Sequence, residues 1–393
     1  MNLHFLGAGD VVLSLGTRTH IGQLLTHLRS RTTLASVSFF QFRSAGMPPP
    51  EADGGFAVEG FPCRVHCPTR PRHYERLPRP VFRFIERVRL WGFFRQRMNA
   101  VAPGDLLMVH GCLGALYLCG HARIPLQDKM WLKLGLIEEE DGRGIRYRVR
   151  KRIERMNACA FGRRIAVSQE MLGFLDRQYG PSGQQDLVLP CLYDADRFNP
   201  LGDRIHARRR LGFGDRVVFV YLGIGAPWQC PAETVALFRE IKRRLPAAYL
   251  WILTPDRDRF SRLLADVAPE DHRIEYCPHH QLAERLPAAD FGFLLRKRGL
   301  INRVASPVKF PEYLASGLPV VIGPEVGDYT ALVNAHRLGT VVDPEVPQSW
   351  GPAIDWIVTQ APPRAGARLR AKAAAAALSW QSRVDGLLAA AEG

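Results

Sequence analysis

Acidic residues are scarce in this chain beside basic ones: 38 Asp and Glu stand against 53 Lys and Arg in 393 residues, a formal charge of +15. The imbalance argues against a cationic partner and favours an anionic one, whether nucleotide, nucleic acid or membrane surface. Cysteine is sparse too. Eight are scattered over the chain, and only Cys63 and Cys67 come close, with His66 between them. A metal centre needs about four ligands at set spacings. No second cluster supplies the rest, so no metal site is expected and the cysteines read as reduced thiols of a cytoplasmic protein. Long apolar runs are missing as well. The run at 106–120 is broken by His110 and by glycines, and falls short of a membrane span. The opening residues, MNLHFLGAGDVVLSLG, carry no basic stretch, and Asp10 interrupts the apolar one, so no signal peptide is expected. A dinucleotide fingerprint is also lacking. Gly7-Ala8-Gly9 follows an apolar run, but its third glycine would fall at Val12.

What is present is alternation. Strands are expected at 3–6, 37–40, 106–110, 164–167 and 187–189, and helices at 20–28 and 169–179. Ile145, Val149, Ile153 and Met156 share one helical face, as a helix packed on a core would place them. The polar, Arg-rich segment 193–215 reads as a linker. A second series follows, with strands at 217–221, 250–253, 274–276, 291–295, 320–322 and 340–342. Its helices are expected at 231–245, 257–267, 307–316 and 350–359, and the Ala-rich tail 368–391 reads as one more helix. Such alternation predicts an α/β class of doubly wound parallel sheets, here two Rossmann-like domains facing a cleft.

The stretch SPVKFPEYLASGLPVV, 306–321, holds a charge in an awkward place. Ser306 reads as an N-cap and Pro307 as the first helical residue, while Gly317 and Pro319 read as the stop. Lys309 then stands in the first turn, where the helix dipole disfavours a cation. A bound phosphate would resolve the conflict, because it uses the unpaired N–H groups and supplies the counter-charge. The plainer reading is a surface pair between Lys309 and Glu312, one turn on, worth roughly 0.2–0.5 kcal/mol. Arg296, at the carboxyl end of a strand, and Arg303, just before the helix, add cations where ligands of open parallel sheets gather. Together they point to a diphosphate.

With these residues in view, NRVASPVKFPEYLASGLPVVIGPEVGDYTALV resembles the donor-binding region of family 4 retaining glycosyltransferases, which have the GT-B fold. FGRRIAVSQEMLGFLDRQYG and LVLPCLYDADRFNP resemble the close of their N-terminal domain. VFVYLGIGAPWQCPAETVALFREI resembles the first strand, loop and helix of their C-terminal domain, and LAERLPAADFGFLLR the segment leading to the donor. GTRTHIGQLLTHL, which contains Gly16, is similar to their glycine loop and first helix. The resemblance implies an acceptor-side domain over 1–195, a donor domain over 196–365, and a final helix, 366–393, crossing back to the first domain. It implies that Glu312 accepts hydrogen bonds from the nucleotide ribose, and that Lys309, Arg296, Ser306 and Pro307 hold the diphosphate. Gly225 would lie in the loop after the first strand of the donor domain, and the loop Tyr276–His280, YCPHH, near the base. The leaving diphosphate gains negative charge during transfer, which fixed cations stabilise, and the family does this without a bound metal or a cofactor.

Two departures stand out. Many members have a first glutamate where this chain has Val304, and an Arg and a Lys in the loop that here reads Ile224-Gly225-Ala226-Pro227-Trp228-Gln229. The phosphate cations are therefore expected at Arg296, Arg303 and Lys309. In the first half, His110 ends a strand, His20 opens a helix and Asp128 follows a short apolar run. In the resembling enzymes that face holds the acceptor and part of the sugar; a hydrogen-bonded core role is the alternative for each histidine. The acidic run 138–141 resembles a segment of some members, or is a solvated face.

The stretch 70–97 interleaves nine arginines with Phe82, Phe84, Ile85, Val88, Trp91, Phe93 and Phe94. It reads as an interfacial helix for an anionic membrane; packing on its own domain and nucleic-acid binding are the other readings. The expectation is a retaining glycosyltransferase that moves a sugar from a nucleotide sugar to a saccharide or lipid-linked acceptor in bacterial surface-glycan synthesis. It would be cytoplasmic, on the inner face of the plasma membrane. An epimerase or hydrolase of the same fold, a nucleic-acid-binding protein and a degenerate sugar-binding partner are the alternatives.

Overall fold

The computed structural model describes residues 142–183, 186–198, 204–363 and 365–392 throughout. Before these it describes 2–7, 24, 27, 28, 36–41, 56–58, 61–66, 88, 92, 106–110 and 130–133. Contacts divide the chain into two units. Unit 1 comprises 1–167, 171–189 and 384–393, and unit 2 comprises 168–170 and 190–383.

Unit 1 is built on β1 (Asn2–Gly7), β2 (Ser36–Gln41), β3 (Phe56–Val58), β4 (Phe61–His66), β5 (Leu106–His110), β6 (Met130–Lys133), β7 (Arg163–Ala166) and β8 (Leu187–Val188). Their order in the sheet is β3-β4-β2-β1-β5-β6-β7-β8. Only the β3–β4 pair is antiparallel; the others are parallel. Helix α1 (Ile145–Ala160) links β6 to β7, and α2 (Gln169–Tyr179) follows β7. Trp131, Leu132, Ile165 and Ala166 are sealed from solvent. Of the helix expected at 20–28, Leu24, His27 and Leu28 are described, all helical and buried. The stretch 70–97 lies outside the described residues except for Val88 and Gly92, both helical and exposed.

The apolar face read on α1 is only partly covered. Ile153 is buried, but Ile145 is 80% and Val149 52% exposed. What packs inward instead is a charge cluster. Glu154, fully buried, lies 2.8 Å from Lys133 and 2.6 Å from Lys151, and Tyr179 donates its hydroxyl to it at 2.6 Å.

Unit 2 carries β9 (Val217–Leu222), β10 (Ala248–Leu253), β11 (His272–Glu275), β12 (Phe291–Leu294), β13 (Val320–Ile322) and β14 (Gly339–Val341). All pairs are parallel, in the order β11-β10-β9-β12-β13-β14. Renumbered within the unit this is 3-2-1-4-5-6, the doubly wound order whose direction reverses between β9 and β12. The helices are α3 (Arg204–Leu211), α4 (Pro231–Arg244), α5 (Arg257–Leu263), α6 (Leu282–Arg285), α7 (Leu300–Arg303), α8 (Lys309–Ala315), α9 (Tyr329–His336), α10 (Gly351–Gln360), α11 (Ala365–Ala376) and the start of α12 (Trp380–Glu392), whose residues from 384 on count with unit 1. Strands β9, β10, β12 and β13 read as unbroken apolar runs because both faces are covered. Phe219 stacks on Phe291 at 5.0 Å and on Phe293 at 5.5 Å in the middle of the sheet.

Three expectations are corrected here. The segment 193–215 is not a linker, because it contains α3. Arg204 and Arg208 of that helix reach the buried Asp290 at 2.5 and 3.0 Å, so its arginines answer a buried carboxylate. The Ala-rich tail is two helices, α11 and α12, separated at Ala377–Ser379, where Tyr193 N donates to Leu378 O and Trp380 N to Tyr193 O. The helix over 306–321 begins at Lys309, not Pro307. Ser306 does not cap it, since the Ser306 hydroxyl accepts from Cys191 N and meets the Tyr329 hydroxyl, at 2.8 and 2.7 Å. The stop is as read: Gly317 has φ +74° and Leu318 N donates to Tyr313 O.

Candidate functional site

The carboxyl ends of β9 and β12 flank the point where the strand order reverses, the place where ligands of such sheets bind. Four short segments meet there. Gly223 follows β9, Arg296 follows β12, Lys309 opens α8, and the turn His279–Gln281 follows β11. Pro311 fits inside α8 because a first-turn residue has no intrahelical N–H bond to lose.

Lys309 is buried, with 7% exposure. Its ammonium donates to Gln229 Oε1 at 2.7 Å and lies 5.1 Å from the centre of the Tyr221 ring. Burial pushes its pKa well below the usual lysine value, and the nearby Arg296 guanidinium pushes the same way. Gly223 makes room for this arrangement. Its φ is +142°, and a Cβ there would lie 2.8 Å from Lys309 Nζ and 2.4 Å from Gln229 Oε1. Burial also lowers the Arg296 pKa, and its Nε is enclosed without a hydrogen-bond partner. The cations here outrun their counter-charges.

Glu312 sits one turn along α8 at 1% exposure. Its Oε1 accepts from His279 Nε2 at 2.7 Å. No Lys309–Glu312 ion pair occurs among the described residues, and both groups are buried, which removes the surface-pair reading. The arrangement offers two cations to an anion and one free carboxylate oxygen to hydroxyl donors.

Other expected residues fall as follows. Arg303 donates to Glu325 at 3.2 and 3.4 Å, so its charge is already met. The Gly225 amide donates to Asp256 at 2.6 Å. Tyr276 is exposed at 52% beside the His279 turn, and His280 faces solvent. Pro307 is buried. Val304 is buried and its carbonyl accepts from Ser168 Oγ at 2.7 Å. Half-buried Cys191 donates its amide to Ser306, and its thiol is pushed up to about 12 by desolvation. In unit 1, His110 closes β5 in register with Gly7 and Leu132. Gly16, His20, Asp128 and the acidic run 138–141 lie outside the described residues.

Sequence reasoning placed His279 in the loop near the base but gave it no role, and it missed the parts of Gln229 and Tyr221. The pair His279-His280 was visible, but which of two neighbours turns inward depends on the turn. Gln229 was seen only as a missing cation. Two Asp-x-Asp triplets occur, at 194–196 and 256–258. Asp194 accepts from Asp196 N and Gln381, and Asp256 from Gly225. Among the described residues no group of three metal-ligating side chains forms.

No family model matches the chain. It is 29% identical over 251 residues to a GDP-mannose-dependent α-(1-6)-phosphatidylinositol monomannoside mannosyltransferase of Mycolicibacterium smegmatis, covering 57% of this chain and 62% of that protein. The chain thus spans less than two thirds of that relative's length. Among solved structures, sucrose-phosphate synthase from Thermosynechococcus elongatus superposes with a TM-score of 0.71 at 16% identity, covering 99% of this chain and 98% of the other. HepE of Anabaena, in complex with UDP, gives 0.70 at 15% identity, with 99% and 98% covered. The chain has the GT-B fold. The first structure's likeness extends over nearly the whole chain, so the fold assignment does not rest on unit 2 alone.

Proposed function

We propose that this chain is a retaining glycosyltransferase of the family 4 type, carrying a sugar from a nucleotide diphosphate donor to a saccharide or lipid-linked acceptor in surface-glycan synthesis. The observation that carries the proposal is the under-neutralised cation pair Lys309 and Arg296 at the reversal point of the unit 2 sheet. A buried cation without a counter-charge is costly, and a diphosphate supplies that charge. As the glycosidic bond to the donor breaks, the leaving diphosphate gains negative charge, and both cations stabilise it without reorganising. Glu312, with Oε1 held by His279, keeps its second oxygen for the ribose. Tyr276 offers an exposed ring to the base. Gly16, Gly225, His280, Arg303, Ser306 and Pro307 complete the donor side of the proposal. His110 and Asp128 are assigned to the sugar and acceptor, and no metal or cofactor is required. Support comes from the mannosyltransferase relative, whose name specifies GDP-mannose, and from HepE, solved with UDP.

The test is calorimetry with UDP, GDP and their 2′-deoxy forms. Glu312→Gln should weaken the ribonucleotides more than the deoxynucleotides, because a carboxylate oxygen accepts from a hydroxyl that the deoxy ligand lacks. Equal losses for both would withdraw Glu312 from the ribose. No binding of any nucleotide diphosphate to the unaltered chain would end the proposal itself. Anomeric NMR of the product then decides retention.

A further inference from the structure

The loop between β9 and α4 has glycines at 223 and 225, on either side of Ile224. The Ile224 carbonyl accepts from the Tyr221 hydroxyl at 2.7 Å, which ties the loop back to the end of β9. Gly223 makes room for Lys309 and Gln229. Gly225 makes room for a different cation. A Cβ at 225 would lie 2.6 Å from Arg259 Cδ and 3.3 Å from Arg259 Nε. Arg259 belongs to α5, which follows the neighbouring strand β10, so its side chain crosses from one carboxyl-end loop to the next over bare backbone. Two residues of chain span about 7 Å at most, so Lys309 and Arg259 converge on one short stretch of loop.

The charges around Tyr221 show what this convergence leaves open. Lys309 Nζ lies 5.1 Å from the ring centre. Burial raises the Tyr221 phenol, and Arg296 and Arg259 both act against that rise. Arg259 is exposed and forms no ion pair among the described residues. Asp256 Oδ2 would lie 3.4 Å from the same Cβ, but it accepts from the Gly225 amide at 2.6 Å. Glu312 accepts from His279. Arg303, the third cation expected from the sequence, is met by Glu325. A solvated surface arginine would need no glycine beneath it. A stem that merely packs on the loop would make its charge irrelevant.

We propose that Arg259 is a third phosphate-binding cation, reaching across Gly225 to the diphosphate of the donor. It deepens the donor reading of this site and rests on it. A guanidinium presents parallel N–H donors that match two oxygens of one phosphate, which an ammonium cannot do. Arg259 thus favours phosphate-bearing ligands over the bare nucleoside, and adds a fixed cation where the leaving diphosphate gains charge.

The full chain is titrated with UDP and GDP by calorimetry, and with uridine by ligand-observed NMR. Arg259→Met keeps most of the stem and removes the charge. It should weaken UDP and GDP by about 10- to 100-fold, the range of one charge-assisted contact, and leave uridine binding and melting temperature unchanged. Arg259→Lys should recover part of the loss. Gly225 has no positive φ, so alanine there strains no backbone. Gly225→Ala should weaken UDP in the parent by displacing the Arg259 stem, and cost nothing further once Arg259 is alanine. Undiminished UDP and GDP affinity in Arg259→Met overturns the proposal while leaving the donor reading standing. Equal losses for uridine and UDP overturn it too, because they would mean that Arg259 only packs. A full Gly225→Ala loss in the Arg259→Ala background would overturn the route across Gly225. No nucleotide diphosphate binding by the unaltered chain would end the donor reading and this proposal together.

Discussion

At Lys309 a cation is shut away from water with an amide oxygen, a tyrosine ring and a repelling guanidinium around it. Its pKa in the fold is depressed below the ordinary 10.5, which fixes the sign of two effects. Below the depressed value both folded and unfolded chains carry the charge, and folding bears the full burial penalty. As pH rises from that value towards 10.5 the penalty is relieved. Lys309→Met should therefore stabilise the ligand-free protein by roughly 1–4 kcal/mol, with the gain shrinking as pH climbs, measured by thermal melts across pH. A variant that melts lower than the parent would remove the strain argument. The same variant, like Lys309→Ala, should lose about 1.5–3 kcal/mol of nucleotide diphosphate affinity.

Among the elements, β6 and α1 are held by charge as much as by apolar packing. Burial alone would raise the Glu154 carboxyl, but Lys133, with Lys151 and Tyr179, outweighs it and holds it below the ordinary 4.5. The contribution is present above that value and lost as pH falls through the depressed one. Glu154→Gln leaves two lysines facing a neutral amide and should cost about 3–5 kcal/mol in urea unfolding at neutral pH, the deficit narrowing in acid. A loss under about 1 kcal/mol would mean water had already entered the cluster. This cluster also shows where sequence reading ends. The unit 2 strands were legible because buried parallel strands are apolar runs. The run Met130–Lys133 went unread because Lys133 closes it, and the carboxylate that makes the lysine tolerable lies on the next helix. Likewise the arginines of α3 looked like a solvated linker because Asp290 lies far along the chain. In the site, Lys309 and Glu312 were legible from their spacing on α8, whereas His279 and Gln229 come from loops whose direction no periodicity records.

For the molecule as a whole, every residue proposed for the donor side except Gly16 belongs to unit 2. A fragment spanning 190–383 keeps the complete 3-2-1-4-5-6 sheet. It forgoes the bond from Ser168 Oγ to Val304 O and those from the Gln169 and Glu170 amides to Asp328. Expressed alone, the fragment should fold and bind UDP or GDP within about tenfold of the full chain, a change of about 1.4 kcal/mol, while transferring no sugar. An unfolded fragment would show that unit 2 needs its neighbour. The division of the chain has one more consequence. Residues 384–393 belong to unit 1, and the ribosome delivers them after all of unit 2. Domains usually fold in the order in which they are made. Here the unit made second can finish its sheet while the unit begun first still awaits its last residues, so synthesis order and completion order cross within one chain.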